Sequence, residues 1–175
     1  MRRGVVVVLV AAGALGVGGD AAAAKGKFTL TSPAFAPGEL IPDGFTCDGA
    51  SASPPLKWKA VPKGTVELAL TMEDPDAPGG TFDHWVAWGI DPDGGRLPEE
   101  TLPPEVVEGD PSYRGPCPPP GVDAHRYRFT LYALSKPVTL EAGVATIDDL
   151  RAAIKGTVRG KAKLIGRYAR TVGAA

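Results

Sequence analysis

Apolar and polar residues alternate through Thr65 to Glu73: Val66, Leu68, Leu70 and Met72 fall on one face, with Glu67, Ala69, Thr71 and Glu73 opposite. That period of two predicts a strand with one face on a core. His125 to Leu134 carries the strongest strand signal, with His125, Tyr127, Phe129, Leu131 and Ala133 in one phase and Arg126, Arg128 and Thr130 in the other. His84 to Ile90 is apolar at nearly every position, as in a strand covered on both sides. Shorter signals at Phe28 to Thr31, Leu56 to Trp58 and Ala162 to Tyr168 complete the strands. One helix is predicted: Thr146 as N-cap, Asp149 at the capping-box position, an apolar stripe of Ile147, Leu150 and Ile154, and Gly156 at its end. Pro and Gly punctuate the rest. Residues 33–55 are turn-rich, and residues 91–114 lack periodicity, which predicts a long functional or mobile loop. The pattern predicts a mostly β fold with a late helix.

Composition first changes the picture at the N-terminus. Arg2 and Arg3, an apolar run from Val5 to Val17 and the small residues Ala21 to Ala24 have the three regions of a secretory signal peptide. The run is short and Gly-rich for a membrane span of about 20 residues, so no integral span is expected after its removal; a retained N-terminal anchor is the alternative. No cysteine stands near the cleavage site to take a lipid, the first being Cys47. Residues 1–24 are thus predicted as a signal peptide and 25–175 as a single domain, exported to a periplasmic or extracellular space. Removing Arg2, Arg3 and Asp20 takes the net charge from −1 to −2. Such a balance excludes whole-protein attraction to nucleic acid or an anionic membrane, so anion binding must come from local geometry. Cys47 and Cys117 are the only cysteines and both fall in loops; export favours a disulfide between them over two separate thiols. They have neither Cys-x-x-Cys nor zinc-site spacing.

The only two histidines, His84 and His125, each follow a stiff Pro/Gly turn and open an apolar run. Asp74 continues the phase of Leu68, Leu70 and Met72, and an unpartnered carboxylate on a core-facing row is costly. If the three strands are neighbours, one sheet end gathers Asp74, His84, His125 and Tyr127, with a nine-residue turn from Pro75 to Asp83 between the first two. Three chemistries fit: an anion pocket of imidazole, phenol and backbone donors, a two-histidine, one-carboxylate metal triad, or an acid–base pair for hydrolysis. No Gly-x-Ser-x-Gly elbow and no phosphate-binding loop is present.

At these residues the chain resembles the phosphatidylethanolamine-binding protein family, in its bacterial Raf-kinase-inhibitor-like branch. The motifs are Phe45-Thr46-Cys47-Asp48-Gly49, Pro54-Pro55-Leu56-Lys57-Trp58, Asp74-Pro75-Asp76-Ala77-Pro78, His84-Trp85-Val86, Gly115-Pro116-Cys117-Pro118-Pro119 and His125-Arg126-Tyr127, in the family's order. The resemblance implies a large antiparallel sheet packed on a smaller one, with one or two peripheral helices. It also implies a pocket for phosphate-like anions or phosphorylated head groups, formed by Asp74, His84, His125 and Tyr127, with Pro118 and Pro119 as a wall and Gly115 beside them. No cofactor, metal or catalytic reaction is implied. A small phosphate-bearing ligand is the expected partner, and a homodimer is compatible with the pattern. Relatives that inhibit kinases or proteases supply the alternative of a protein-interaction module using residues 91–114; a metal-dependent hydrolase is the third reading. Two positions depart from similar sequences: Thr157 stands where a histidine is common, and Asp83 precedes His84 where it is expected to weaken anion binding or raise the pKa of His84.

Overall fold

The computed structural model describes residues 26–171. The predicted signal peptide, residues 1–24, therefore lies outside the described residues. Eight strands and one helix follow in the order β1 (Thr29–Thr31), β2 (Leu56–Lys59), β3 (Glu67–Asp74), β4 (Phe82–Ile90), β5 (Arg96–Leu97), β6 (Val107–Glu108), β7 (His125–Leu134), α1 (Ile147–Ala153) and β8 (Val158–Tyr168). They form two antiparallel sheets, β1-β2-β5 and β6-β4-β3-β7-β8, as the resemblance implied.

The two periods build two apolar layers. Leu68, Leu70, Met72, Tyr127, Phe129, Leu131 and Leu164 face the smaller sheet and pack with its Leu30, Leu56 and Trp58. On the outer face Ala69, Val86, Trp88, Tyr132 and Leu134 receive Ile147 and Leu150 of α1 and its C-cap residue Ile154. The helix begins as predicted: Thr146 Oγ1 accepts from the Asp149 N–H, and the Asp149 carboxylate accepts from the Thr146 N–H.

That second layer corrects the reading of β3. Its "polar" face is not solvent-exposed: Ala69, Thr71 and Glu73 are buried, because α1 covers them. Val66 precedes the strand and is 53% exposed rather than part of the core row. Residues 91–114 are not one structureless loop, since they contribute β5 and β6 and thread back along β4. The last strand starts at Val158, four residues before the apolar alternation becomes evident.

Residues 38–41 occupy the Ile165–Arg167 end of the outer β8 edge. The Gly38 and Ile41 N–H groups donate to the Ile165 and Arg167 carbonyls at 2.7 and 2.8 Å, and the Arg167 N–H returns a bond to Glu39 O at 2.9 Å.

Candidate functional site

Asp74 is the last residue of β3, and Asp74 and Phe82 are register partners across the β3–β4 turn. The turn is therefore Pro75 to Thr81, shorter than predicted. Its rigidity comes from Asp76, which takes two guanidinium bonds from Arg126 at 2.6 and 2.8 Å and one from the Arg126 N–H at 2.9 Å. Those Arg126 bonds hold the Asp76 carboxyl down at about 2.

β3 and β4 are not in continuous register here. Met72 pairs with Trp85 but Glu73 pairs with Asp83, so one residue of β4 is extra. That bulge lets His84 and Trp85, neighbours in sequence, both serve the inner side of the sheet: Trp85 packs in the inner core and the His84 ring meets Tyr127 edge-on at 5.2 Å. Re-aiming a side chain is what an inserted strand residue does.

The side chains then meet through a small set of bonds. His125 Nδ1–H donates to Asp74 Oδ2 at 2.7 Å, and the Asp76 N–H donates to Asp74 Oδ1 at 2.8 Å. His84 Nδ1–H donates to the Arg114 carbonyl at 2.7 Å. Because a carbonyl and a carboxylate only accept, both imidazoles carry their proton on Nδ1 and leave Nε2 without a protein partner among the described residues. Burial holds the His84 pKa below its ordinary value, so the ring is neutral at pH 7. The Tyr127 hydroxyl is buried and has no hydrogen-bond partner among the described residues. Burial, and next the Asp74 charge, push the phenol far up, so it stays a donor.

All seven predicted site residues line one cavity of about 470 Å³: Asp74, His84, His125, Tyr127, Gly115, Pro118 and Pro119. Sequence reading missed Phe82, half exposed at the lip and packed 4.9 Å from the His84 ring, and Arg114, whose carbonyl fixes that ring. Neither was legible, since one role is a backbone atom's and the other depends on the shorter turn. Asp83 is a correction: it does not line the cavity, and the His84 pKa is lowered rather than raised. Burial and then the Glu73 charge raise the Asp83 carboxyl, which places it in the electrostatic environment of the outer face.

The wall at 115–119 is anchored twice. Cys47 and Cys117 form the expected disulfide, with Cα atoms 5.4 Å apart, and the Cys47 N–H donates to Pro116 O at 3.1 Å. Gly115 is there for closeness: a Cβ would stand 2.6 Å from Ser51 Oγ and 2.9 Å from Phe45 O. Among the described residues no three His, Cys, Asp or Glu side chains come together in a metal-holding group.

Comparisons with known proteins agree on the family and the fold. A family model described as phosphatidylethanolamine-binding protein matches residues 31–169. A UPF0098 protein of Methanothermobacter thermautotrophicus is 45% identical over 151 residues, covering 81% of this chain and 98% of its own. LppC of Mycobacterium tuberculosis, whose name marks it as a candidate lipoprotein, is 40% identical over 152 residues, covering 84% of this chain and 75% of its own. Among solved structures, Escherichia coli YbcL, described as a member of the mammalian family of the same kind, superposes with a TM-score of 0.76 at 28% identity, covering 82% of this chain and 99% of that one. A candidate homologue from Chlamydia trachomatis, CT736, gives the same TM-score at 35% identity, with 82% and 97% covered.

Proposed function

The chain belongs to the phosphatidylethanolamine-binding protein family, and from that premise we propose that it binds phosphate-like anions or phosphorylated head groups without transforming them. One observation carries the reading: a buried Tyr127 hydroxyl with no partner stands beside an imidazole whose Nε2 is also unmatched. A buried polar group left unpaired costs about 1–3 kcal/mol, and an oxyanion in the cavity relieves it by accepting from the phenol. His125, oriented by Asp74, and His84, oriented by the Arg114 carbonyl, become donors through Nε2 once protonated.

Two features of the lining support binding: among the described residues the cavity's one hydroxyl is that of Tyr127, which is held protonated, and Cys117 is locked in the disulfide. The disulfide, together with the lipoprotein name of a relative, supports export, with residues 1–24 as the signal peptide.

The test is a nuclear magnetic resonance titration of the two imidazoles with inorganic phosphate and with phosphorylethanolamine. Both rings should shift and saturate, and His125→Ala should weaken binding by about tenfold or more, the loss of one charge-assisted bond. Saturating ligand that leaves both rings unmoved would overturn the reading.

A further inference from the structure

The outer face of the large sheet is covered only in part. Helix α1 packs over the outer side chains of β3, β4 and the Leu134 end of β7, where Val158 joins the same cluster, but β8 from Arg159 onward is not part of that cluster. Along β8 the outward positions are Arg159, Lys161, Lys163, Ile165 and Arg167, all exposed. Alternate residues on a strand stand about 7 Å apart, so these cations act together over a Debye length of about 10 Å. None of the four has an acidic partner within ion-pair distance among the described residues, and Lys161 rests 5.0 Å over the Tyr132 ring. Arg126 and Arg128 extend the patch onto β7, though Asp76 and Glu73 pair with them.

Lysine on an edge strand is a common guard against sheet extension; residues 38–41 already cover the Ile165–Arg167 end of this edge, and the guard role does not call for charges of a single sign. The chain has 19 basic and 20 acidic residues, so composition does not force the segregation either. Apolar side chains are mixed into the same patch. Leu40, the register partner of Arg167, is 64% exposed, and Ile165, between Lys163 and Arg167, is 38% exposed. With Val122, 43% exposed, Ile165 borders a shallow basin of about 1080 Å³ lined by Lys163, Arg126 and Arg167 and, against them, Asp76 and Asp123, with His125 shared with the histidine cavity.

We propose that this β8 face is a docking surface for an anionic phospholipid bilayer. Cations at lipid-head-group depth gain from the negative surface potential, and exposed Leu, Ile and Val side chains within the same patch enter the acyl boundary. A soluble acidic partner would satisfy the cations but give Leu40 and Ile165 nothing to enter, which is why the lipid surface is favoured. The proposal does not depend on what the histidine cavity holds.

The test is co-sedimentation of the full chain with vesicles of phosphatidylcholine alone and of phosphatidylcholine mixed with phosphatidylglycerol. The neutral vesicles subtract any contribution of the apolar N-terminal run. Binding to the anionic vesicles should exceed that baseline and fall with added salt. Lys161→Gln/Lys163→Gln/Arg167→Gln should reduce the partition coefficient by on the order of 100-fold, about fivefold per charge removed, while phosphate still shifts the cavity histidines, which reports that the fold is intact. Leu40→Ser/Ile165→Ser, the milder variant, should remove the part of binding that survives salt. Equal partitioning of the wild type and the charge variant overturns the proposal. So does salt-sensitive binding to polyglutamate with none to anionic vesicles, which assigns the face to an acidic protein instead. Loss of phosphate binding with vesicle binding intact sinks the cavity reading and leaves this one standing.

Discussion

Glu73 and Asp74 are consecutive residues of β3, both buried, and they point to opposite sides of one sheet. Glu73 faces outward under α1 and is closed by two guanidiniums, Arg151 at 2.6 Å and Arg128 at 3.5 Å. Asp74 faces inward and meets no guanidinium; its partners are one imidazole and one backbone N–H, with a cavity beyond. A buried carboxylate surrounded by fixed cations has no capacity for another ligand and serves to clamp a helix. A buried carboxylate whose partner can gain or lose a proton leaves the balance to be completed by a guest. Burial is the same in both; the partner decides which is structural and which is available.

The largest expected effect comes from Cys47→Ser/Cys117→Ser. Opening a loop of this length costs roughly 4 kcal/mol of stability, measured by urea denaturation. Phosphate affinity should fall too, because the cavity wall loses its covalent anchor. Arg151→Ala should follow at about 2 kcal/mol, since Glu73 stays buried with only the more distant Arg128. Here phosphate affinity should not change; a parallel loss would show that the two faces are coupled.

Tyr127→Phe sharpens the contrast from the other side. Removing an unpaired buried hydroxyl should raise stability by up to about 1 kcal/mol while lowering phosphate affinity about tenfold. A drop in both would mean that the hydroxyl has a partner in the free protein.

The smallest effect is the pH dependence. The folded pKa of His84 lies below its ordinary value of 6.5, so the unfolded chain takes the proton first. His84's contribution to stability is complete above about 6.5 and is lost as pH falls through the folded pKa. Anion affinity should slope the other way over the same window, because charge beside Nε2 favours the imidazolium. Sulfate, whose charge is constant there, separates this from the ligand's own ionisation. Flat sulfate affinity across that window would remove His84 from the site.

The sheet's inner face was legible from period two alone, and so was the gathering of Asp74, His125 and Tyr127, which lie on continuous alternation. His84 was gathered for an incomplete reason. Strict alternation puts it on the opposite face from Trp85, and only the bulge brings it round; an inserted residue is invisible to phase counting. Alternation placed Glu73 opposite the apolar row but could not show that this face is buried too, because α1, which buries it, arrives more than 70 residues later in sequence. The disulfide was legible because two cysteines in loops of a chain expected to be exported permit one pairing. The cation row of β8 was in view as letters, but its importance depends on how far α1 reaches across the sheet, which no local pattern states.

The pairing of residues 38–41 with β8 bears on assembly. At the opposite edge of the large sheet stands β6, only two residues long. A second copy approaching β6 or the Ile165–Arg167 stretch of β8 finds few unpaired N–H and C=O groups to continue the ladder. Growth by strand addition, the route to runaway polymers, is hindered at those two places, and two copies placed face to face along β8 would oppose like charges.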